Sequence, residues 1–250
     1  MDGFLYWTLA VLAALLVGMS KGGVPVVGML GVPLMAQVMS PVVAAGILLP
    51  IYVVSDIFGL YAYRHSFDRR VVAIVVAGAT AGIVIGWATS ALVSAAIVTV
   101  VIGLIGAVFS VSILMQRKTT VAAQPARVTP GLFWGAVTGF TSFVSHSGAP
   151  PYQVYTMPLG MDKATFAGTA TVAFAAINAI KLLPYYQLGQ LNPGNMQIAA
   201  ALAVPAIIAV FVGVKLVKML PEKLFFTLIT WALLAISLRM IWTGTSAWLA

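Results

Sequence analysis

Two short polar clusters interrupt an otherwise apolar chain: Ser20-Lys21-Gly22-Gly23-Val24-Pro25 and Ser145-His146-Ser147-Gly148-Ala149-Pro150. Each has the chemistry of an anion receptor. Gly22, Gly23 and Gly148 let the backbone approach a ligand closely, and Pro25 and Pro150 suit the first turn of a new helix, where the N–H they lack would be unpaired anyway. Helices starting there would aim free N–H groups and positive dipole ends at whatever sits between the two tips. Ser20, Ser145 and Ser147 add hydroxyl donors; Lys21 adds positive charge, and His146 can. An oxyanion of charge one or two fits such a site. Tyr152 and Gln153 follow the second cluster and either point inward or pack. The plainer readings are that Lys21 snorkels to an interface at the end of an ordinary helix and that His146 is hydrogen-bonded filler. Against the first, apolar sequence resumes from Gly22 to Met39, and the counterpart of Lys21 in the second cluster is also ionisable.

Three more ionisable residues, Asp56, Lys181 and Arg239, lie inside apolar runs. An unpaired charge in lipid is costly, so such residues are functional suspects, although a structural role serves equally well for each. Asp56 reads as a fold-stabilising or proton-coupling carboxylate and Lys181 as a vestibule charge that attracts anions. Asn178, one turn before Lys181, can share its face. Arg239 reads as an interfacial snorkeler, and His65 with Arg64, Asp68, Arg69 and Arg70 as a solvated cytoplasmic turn. A catalytic reading, with Ser145 or Ser147 as nucleophile and His146 as base, would make an intramembrane hydrolase. Adjacent residues rarely reach that geometry, and no spare acid is placed to orient the histidine. The sequence has no cysteine, which removes disulfides, thiolate metal sites and a thiol nucleophile. No catalytic residue, metal or cofactor is expected.

The elements that must position these residues follow from composition. Hydrophobic residues make up 62% of the chain and charged residues 7%, with a mean hydropathy of +1.07, whereas about a quarter of a soluble domain is charged. Val71–Thr89, Val93–Met115 and Met196–Val214 carry no charge and are long enough to cross about 30 Å of hydrocarbon as helices. Outer-membrane strands would instead alternate apolar and polar residues in segments of about ten. The expected fold class is therefore an all-α integral membrane protein. The 13 basic residues against 5 acidic ones flank the apolar runs, which marks cytoplasmic loops and not nucleic-acid binding. The tryptophans lie mostly near segment ends, as in aromatic belts. The first run follows Asp2 without a basic leader or a small-residue cleavage site and reads as mature structure.

Apolar runs bounded by charges, Pro and Gly place segments at 4–20, 24–39, 41–63, 71–90, 93–115, 131–144, 150–161, 164–188, 195–217 and 223–245. A polar stretch at 116–130 reads as a cytoplasmic linker between two membrane repeats, 1–115 and 131–250. The two polar clusters align at a constant offset of 125, which also pairs Pro33 with Pro158, Tyr61 with Tyr186 and Asp56 with Lys181. Basic residues mark the loop at 64–70 in the first half but the one at 215–223 in the second, so equivalent loops face opposite sides and the repeat is inverted. That needs an odd number of crossings between equivalent points. It is met if 4–20 with 24–39, and 131–144 with 150–161, are re-entrant hairpins, since about 16 helical residues reach only some 24 Å. Each repeat is then a broken hairpin plus about three transmembrane helices. The rival count has eight full spans in a parallel 4+4 repeat. In the inverted arrangement Asp56 and Lys181 lie at similar depths on opposite sides of the midplane and are not expected to pair.

The pattern resembles the sulfite exporter TauE/SafE family, also called the toluene sulfonate uptake permease family, over nearly the whole chain. The resemblance is carried by Gly18-Met19-Ser20-Lys21-Gly22-Gly23, by Ser55-Asp56 with Tyr63-Arg64-His65, and by Gly148-Ala149-Pro150 followed by Met157-Pro158-Leu159-Gly160. It implies a multi-pass transporter of the bacterial inner membrane for sulfite, sulfonates, sulfoacetate or related anions. The second cluster departs from the glycine-rich first one through Ser-His-Ser, which bears on the substrate. The expectation is an exporter working by alternating access, with the anion between the two tips and protons as a candidate coupling ion. An importer or an anion channel for the same substrates stays open. Partners are the small anion and membrane lipid, with a homodimer one option for assembly.

Overall fold

The computed structural model describes residues 3–90, 95–115 and 123–249. Residues 116–122 of the expected linker, with Arg117 and Lys118, and most of the neutral turn near 90–93 fall outside these. Every regular element among the described residues is helical. In chain order they are α1 (Gly3–Lys21), a 3₁₀ helix (Pro25–Leu30), α2 (Gly31–Met35), α3 (Pro41–Tyr63), α4 (Arg69–Ala88) and α5 (Ala95–Met115). Then come α6 (Val128–Ser145), α7 (Ala149–Thr156), a second 3₁₀ turn (Met157–Leu159), α8 (Lys163–Gln187), α9 (Pro193–Met219) and α10 (Glu222–Leu249). The same succession of helix, break, short piece and three long helices thus occurs twice.

Among the described residues, six helices are long and apolar enough to cross a membrane: α1, α3, α4, α8, α9 and most of α10. The 19 residues of α1 make about 28 Å at 1.5 Å each, longer than the hairpin arm read from the sequence. The 24–39 segment is corrected in kind. It is not one α-helix but six residues of 3₁₀ helix followed by five of α-helix. Gly28, Gly31 and Pro33 fall within eleven residues, and glycine and proline are the weakest α formers, which leaves the tighter 3₁₀ winding for a short stretch. The second short limb lies where expected and consists of eight residues of α7 and a 3₁₀ turn closed by Gly160 at φ 65°.

Local signals fix several boundaries. Ser40 caps α3, accepting the Val43 N–H at 3.3 Å just before Pro41. Asp162 caps α8, its carboxylate accepting the backbone N–H groups of Ala164 and Thr165 and the Thr165 hydroxyl at 2.9, 3.1 and 2.5 Å.

The chain packs as two compact units, residues 1–68 with 167–219 and residues 69–166 with 220–250, so each unit draws on both halves of the sequence. In the first unit α1 lies on α9 by close backbone approach: a Cβ on Gly18 would land on the Ala206 carbonyl, and one on Gly22 would come within 2.5 Å of Gly213 Cα. In the second unit α4 lies on α6 with glycines four apart on both helices, at 78, 82 and 86 and at 131, 135 and 139. A Cβ on Gly82 would land on the Ala136 carbonyl, and one on Gly139 on that of Ala79. Lipid tails are as apolar as leucine, so helices in a bilayer associate by such small-residue packing and not by hydrophobic burial. In the same unit α5 pairs with α10 through Gly103 and Gly244.

Candidate functional site

The first break belongs to the first unit. α1 closes normally, with the Gly22 N–H donating to the carbonyls of Gly18 and Met19, both at 3.1 Å. The chain then turns at Gly23, whose φ of +110° side-chain-bearing residues rarely adopt. The released carbonyls have named partners. The Tyr63 hydroxyl donates to Gly22 O at 2.6 Å, Thr171 Oγ1 to Lys21 O at 3.2 Å, and the Tyr52 hydroxyl to Gly28 O at 2.7 Å. Irregular backbone at membrane depth requires such partners, because lipid supplies none. Ser20 is buried and donates its hydroxyl to Val17 O at 2.6 Å. Because Pro25 opens a short 3₁₀ helix, this break lacks the aligned α-helical N-terminus that the sequence suggested.

Lys21 is the centre of this break. The residue is 3% exposed; its ammonium lies 2.8 Å from Asp56 Oδ1 on α3, and Asn178 Nδ2 on α8 donates to the other oxygen, Oδ2, at 2.8 Å. The rings of Tyr52 and Phe174 stand 5.0 and 5.7 Å from the ammonium, within cation–π range. Asn178 therefore serves Asp56. Lys181 is fully buried, 5.9 Å from the Tyr185 ring centre, and interacts electrostatically with both Lys21 and Asp56. Three ionisable side chains thus gather in the interior of the first unit, two basic and one acidic. A buried ion pair is retained only with good geometry and further hydrogen bonds on its free lone pairs, and Asn178 supplies one.

The second break belongs to the second unit. α6 ends at Ser145 and His146 adopts a left-handed conformation, φ 54°, with its N–H donating to Ser142 O. This position beyond a helix is usually held by glycine or asparagine, and histidine is among the residues enriched there. The hydroxyls of Ser145 and Ser147 donate to the backbone carbonyls of Thr141 and Ser145 at 3.3 and 3.2 Å, an arrangement that serves helix closure and not a nucleophile–base pair. Gly148 precedes α7, whose first turn holds Pro150 and Pro151, so that turn has fewer N–H donors than a single proline would leave. His146, Ser147, Tyr152 and Gln153 are all buried. Gln153 is 0% exposed, and among the described residues neither its amide nitrogen nor its amide oxygen has a hydrogen-bond partner. Beyond α7, a cavity of about 160 Å³ is lined by Gln124, Arg127, Trp134, Tyr155 and nearby prolines.

The positions left outside these breaks are as simple as their sequence context. His65, Arg64 and Arg239 are exposed, and the offset-related Tyr61 and Tyr186 are 67% and 70% exposed.

A sequence profile described as sulfite exporter TauE/SafE matches residues 10–240, which include both breaks, Asp56, Asn178 and Lys181. The chain belongs to the sulfite exporter TauE/SafE family. No curated protein and no solved structure compared with the chain matches it. TauE/SafE proteins form a membrane transporter family and not an enzyme family, and the six long apolar helices make this member a multi-pass membrane protein. Lys21, Asp56, Asn178 and Lys181 of this TauE/SafE chain stand out in the sequence as ionisable or polar residues in apolar surroundings, but nothing there links Lys21 to Asp56. Tyr63 enters the sequence reading only through the family resemblance, and Thr171, whose hydroxyl holds the first break with that of Tyr63, does not enter it, nor do the buried hydroxyls of Ser110, Thr138 and Ser237 in the second unit. A hydroxyl residue in an apolar run was the available signal for these, but such residues more often bond back to their own helix.

Proposed function

We propose that this TauE/SafE protein exports sulfur-containing anions such as sulfite, sulfonates or sulfoacetate by alternating access, built on two inverted repeats. Substrate contact is assigned to the breaks: Ser20, Lys21, Gly22 and Gly23 in the first, and Ser145, His146, Ser147, Gly148, Tyr152 and Gln153 in the second. The observation that carries the reading is the buried set of Lys21, Asp56 and Lys181. Two basic groups against one acidic group in a membrane core favour a negatively charged visitor. An anion reaching Lys21 competes with Asp56 for its ammonium, and a proton on Asp56 would release that ammonium, which makes Asp56 the coupling carboxylate of the proposal. A membrane potential negative inside favours anion exit by about 2.3 kcal/mol per charge per 100 mV, which supports export.

Thermal stability of the purified protein against sulfite, sulfate, organosulfonates and carboxylates tests this directly. A ligand bound only by the folded state at about 100 times its Kd adds about 2.7 kcal/mol. Sulfite or a sulfonate is expected to raise the melting temperature of the wild type and not of Lys21→Gln/Asp56→Asn, which removes both charges together. No response to any sulfur oxyanion, or an equal response in the variant, would refute the assignment.

A further inference from the structure

We infer that Ser237, on α10, is a substrate-contacting residue of the second break, acting with Gln153 as a neutral hydrogen-bond donor to the oxygens of the sulfur oxyanion. The inference rests on the transporter reading above and adds to it a residue on a helix that carries neither polar cluster. Hydroxyl residues within apolar helices usually satisfy themselves by bonding to a carbonyl one turn back, as Thr141, Ser145, Thr156 and Thr230 do here. Ser237 does not. Its hydroxyl is 0% exposed and has no hydrogen-bond partner among the described residues.

Its position is fixed by Gly106 of α5. A Cβ at Gly106 would land on Ser237 Oγ and would lie 3.3 Å from the Cβ of Pro150. The hydroxyl therefore sits beside the first turn of α7, at the break, in space that exists because residue 106 has no side chain. Three residues beyond Pro150, and so on the same face of α7, stands Gln153, whose amide nitrogen and oxygen are likewise buried and unpartnered. Lipid can satisfy neither group, and leaving both unpaired is costly. The occupant that relieves them must be polar and small. Donors without charge suit an oxyanion that has to leave again, since they bind several oxygens without fixing a permanent counter-charge.

Counterflow of labelled sulfite into proteoliposomes tests the inference with Ser237→Ala and Gly106→Ala. One hydrogen bond to a charged group corresponds to about a tenfold change or more, so Ser237→Ala is expected to raise KM about tenfold. Its melting temperature should stay equal to or above that of the wild type, because an unpartnered buried hydroxyl is gone. Gly106→Ala keeps the hydroxyl but takes its place; it should raise KM similarly, with no further rise in the double variant. It also decides the matter if Ser237→Ala proves poorly folded. A KM within twofold of wild type in the folded variants overturns the inference and leaves Ser237 a packing residue. Absence of counterflow in the wild type overturns the transport reading itself, and the inference with it.

Discussion

Lys21 and Asp56 are 35 positions apart in sequence and 2.8 Å apart in space, and their pairing sets the energetics of the first break. Removing one member of a buried pair strands the other charge, which costs about 3–5 kcal/mol. Lys21→Met should therefore be strongly destabilised in unfolding experiments in detergent. Lys21→Met/Asp56→Asn should recover much of the loss, since a neutral pair needs no counter-charge. Equal stability of the two variants would mean that Asp56 is not charged against Lys21. Tyr63→Phe removes the hydroxyl that holds Gly22 O and should cost about 0.5–1.5 kcal/mol by the same measurement. The suspects at this scale were legible, because an ionisable residue in an apolar run announces itself. Their partnership was not. The offset of 125 directs attention from Asp56 to Lys181, whereas the contact that forms depends on how α3 packs beside the end of α1, which no local pattern encodes.

At the scale of elements, proline, glycine and charge located both breaks and nearly every long helix. The winding inside the first break escaped, since 3₁₀ and α backbones differ little in residue preference and tertiary partners such as the Tyr52 hydroxyl on Gly28 O decide between them. The glycine ladder of α4 and α6 is tested by Gly82→Ala, where a methyl group would press on the Ala136 carbonyl. Overpacking of this kind costs about 1–3 kcal/mol, whereas Gly194→Ala, with its nearest neighbour 3.4 Å away, should be close to neutral in the same unfolding assay. The α8 cap carries a pH dependence. The hydrogen bond from the Thr165 side chain, with help from backbone N–H groups, holds the Asp162 carboxyl below the usual carboxylate range. A depressed folded value stabilises above the unfolded value of about 3.9 and loses that contribution as pH falls through the folded one. Asp162→Asn keeps an acceptor but no charge, so the stability gap between wild type and variant should be constant above about pH 5 and shrink below about pH 4. A gap independent of pH would show that the charge contributes nothing to the cap.

For the molecule as a whole, membrane residence and helical class were legible from composition, because 7% charged residues cannot cover a water-facing surface. The division into two units was not. A repeat in sequence groups residues 1–115 against 131–250, while packing groups α1 to α3 with most of α8 and all of α9, and the remaining helices with one another. Close contacts such as Gly22 on Gly213 join residues nearly two hundred positions apart, and apolar helices offer few specific signals of which neighbour they will meet. The central claim is that a sulfur oxyanion is carried by a saturable site in which Lys21 and Asp56 exchange partners. Counterflow in proteoliposomes tests it most directly: vesicles loaded with unlabelled sulfite should transiently accumulate labelled sulfite above equilibrium, with a rate that saturates and that falls at least tenfold in Lys21→Gln/Asp56→Asn. Flux that never saturates, or an undiminished rate in that variant, would contradict the account.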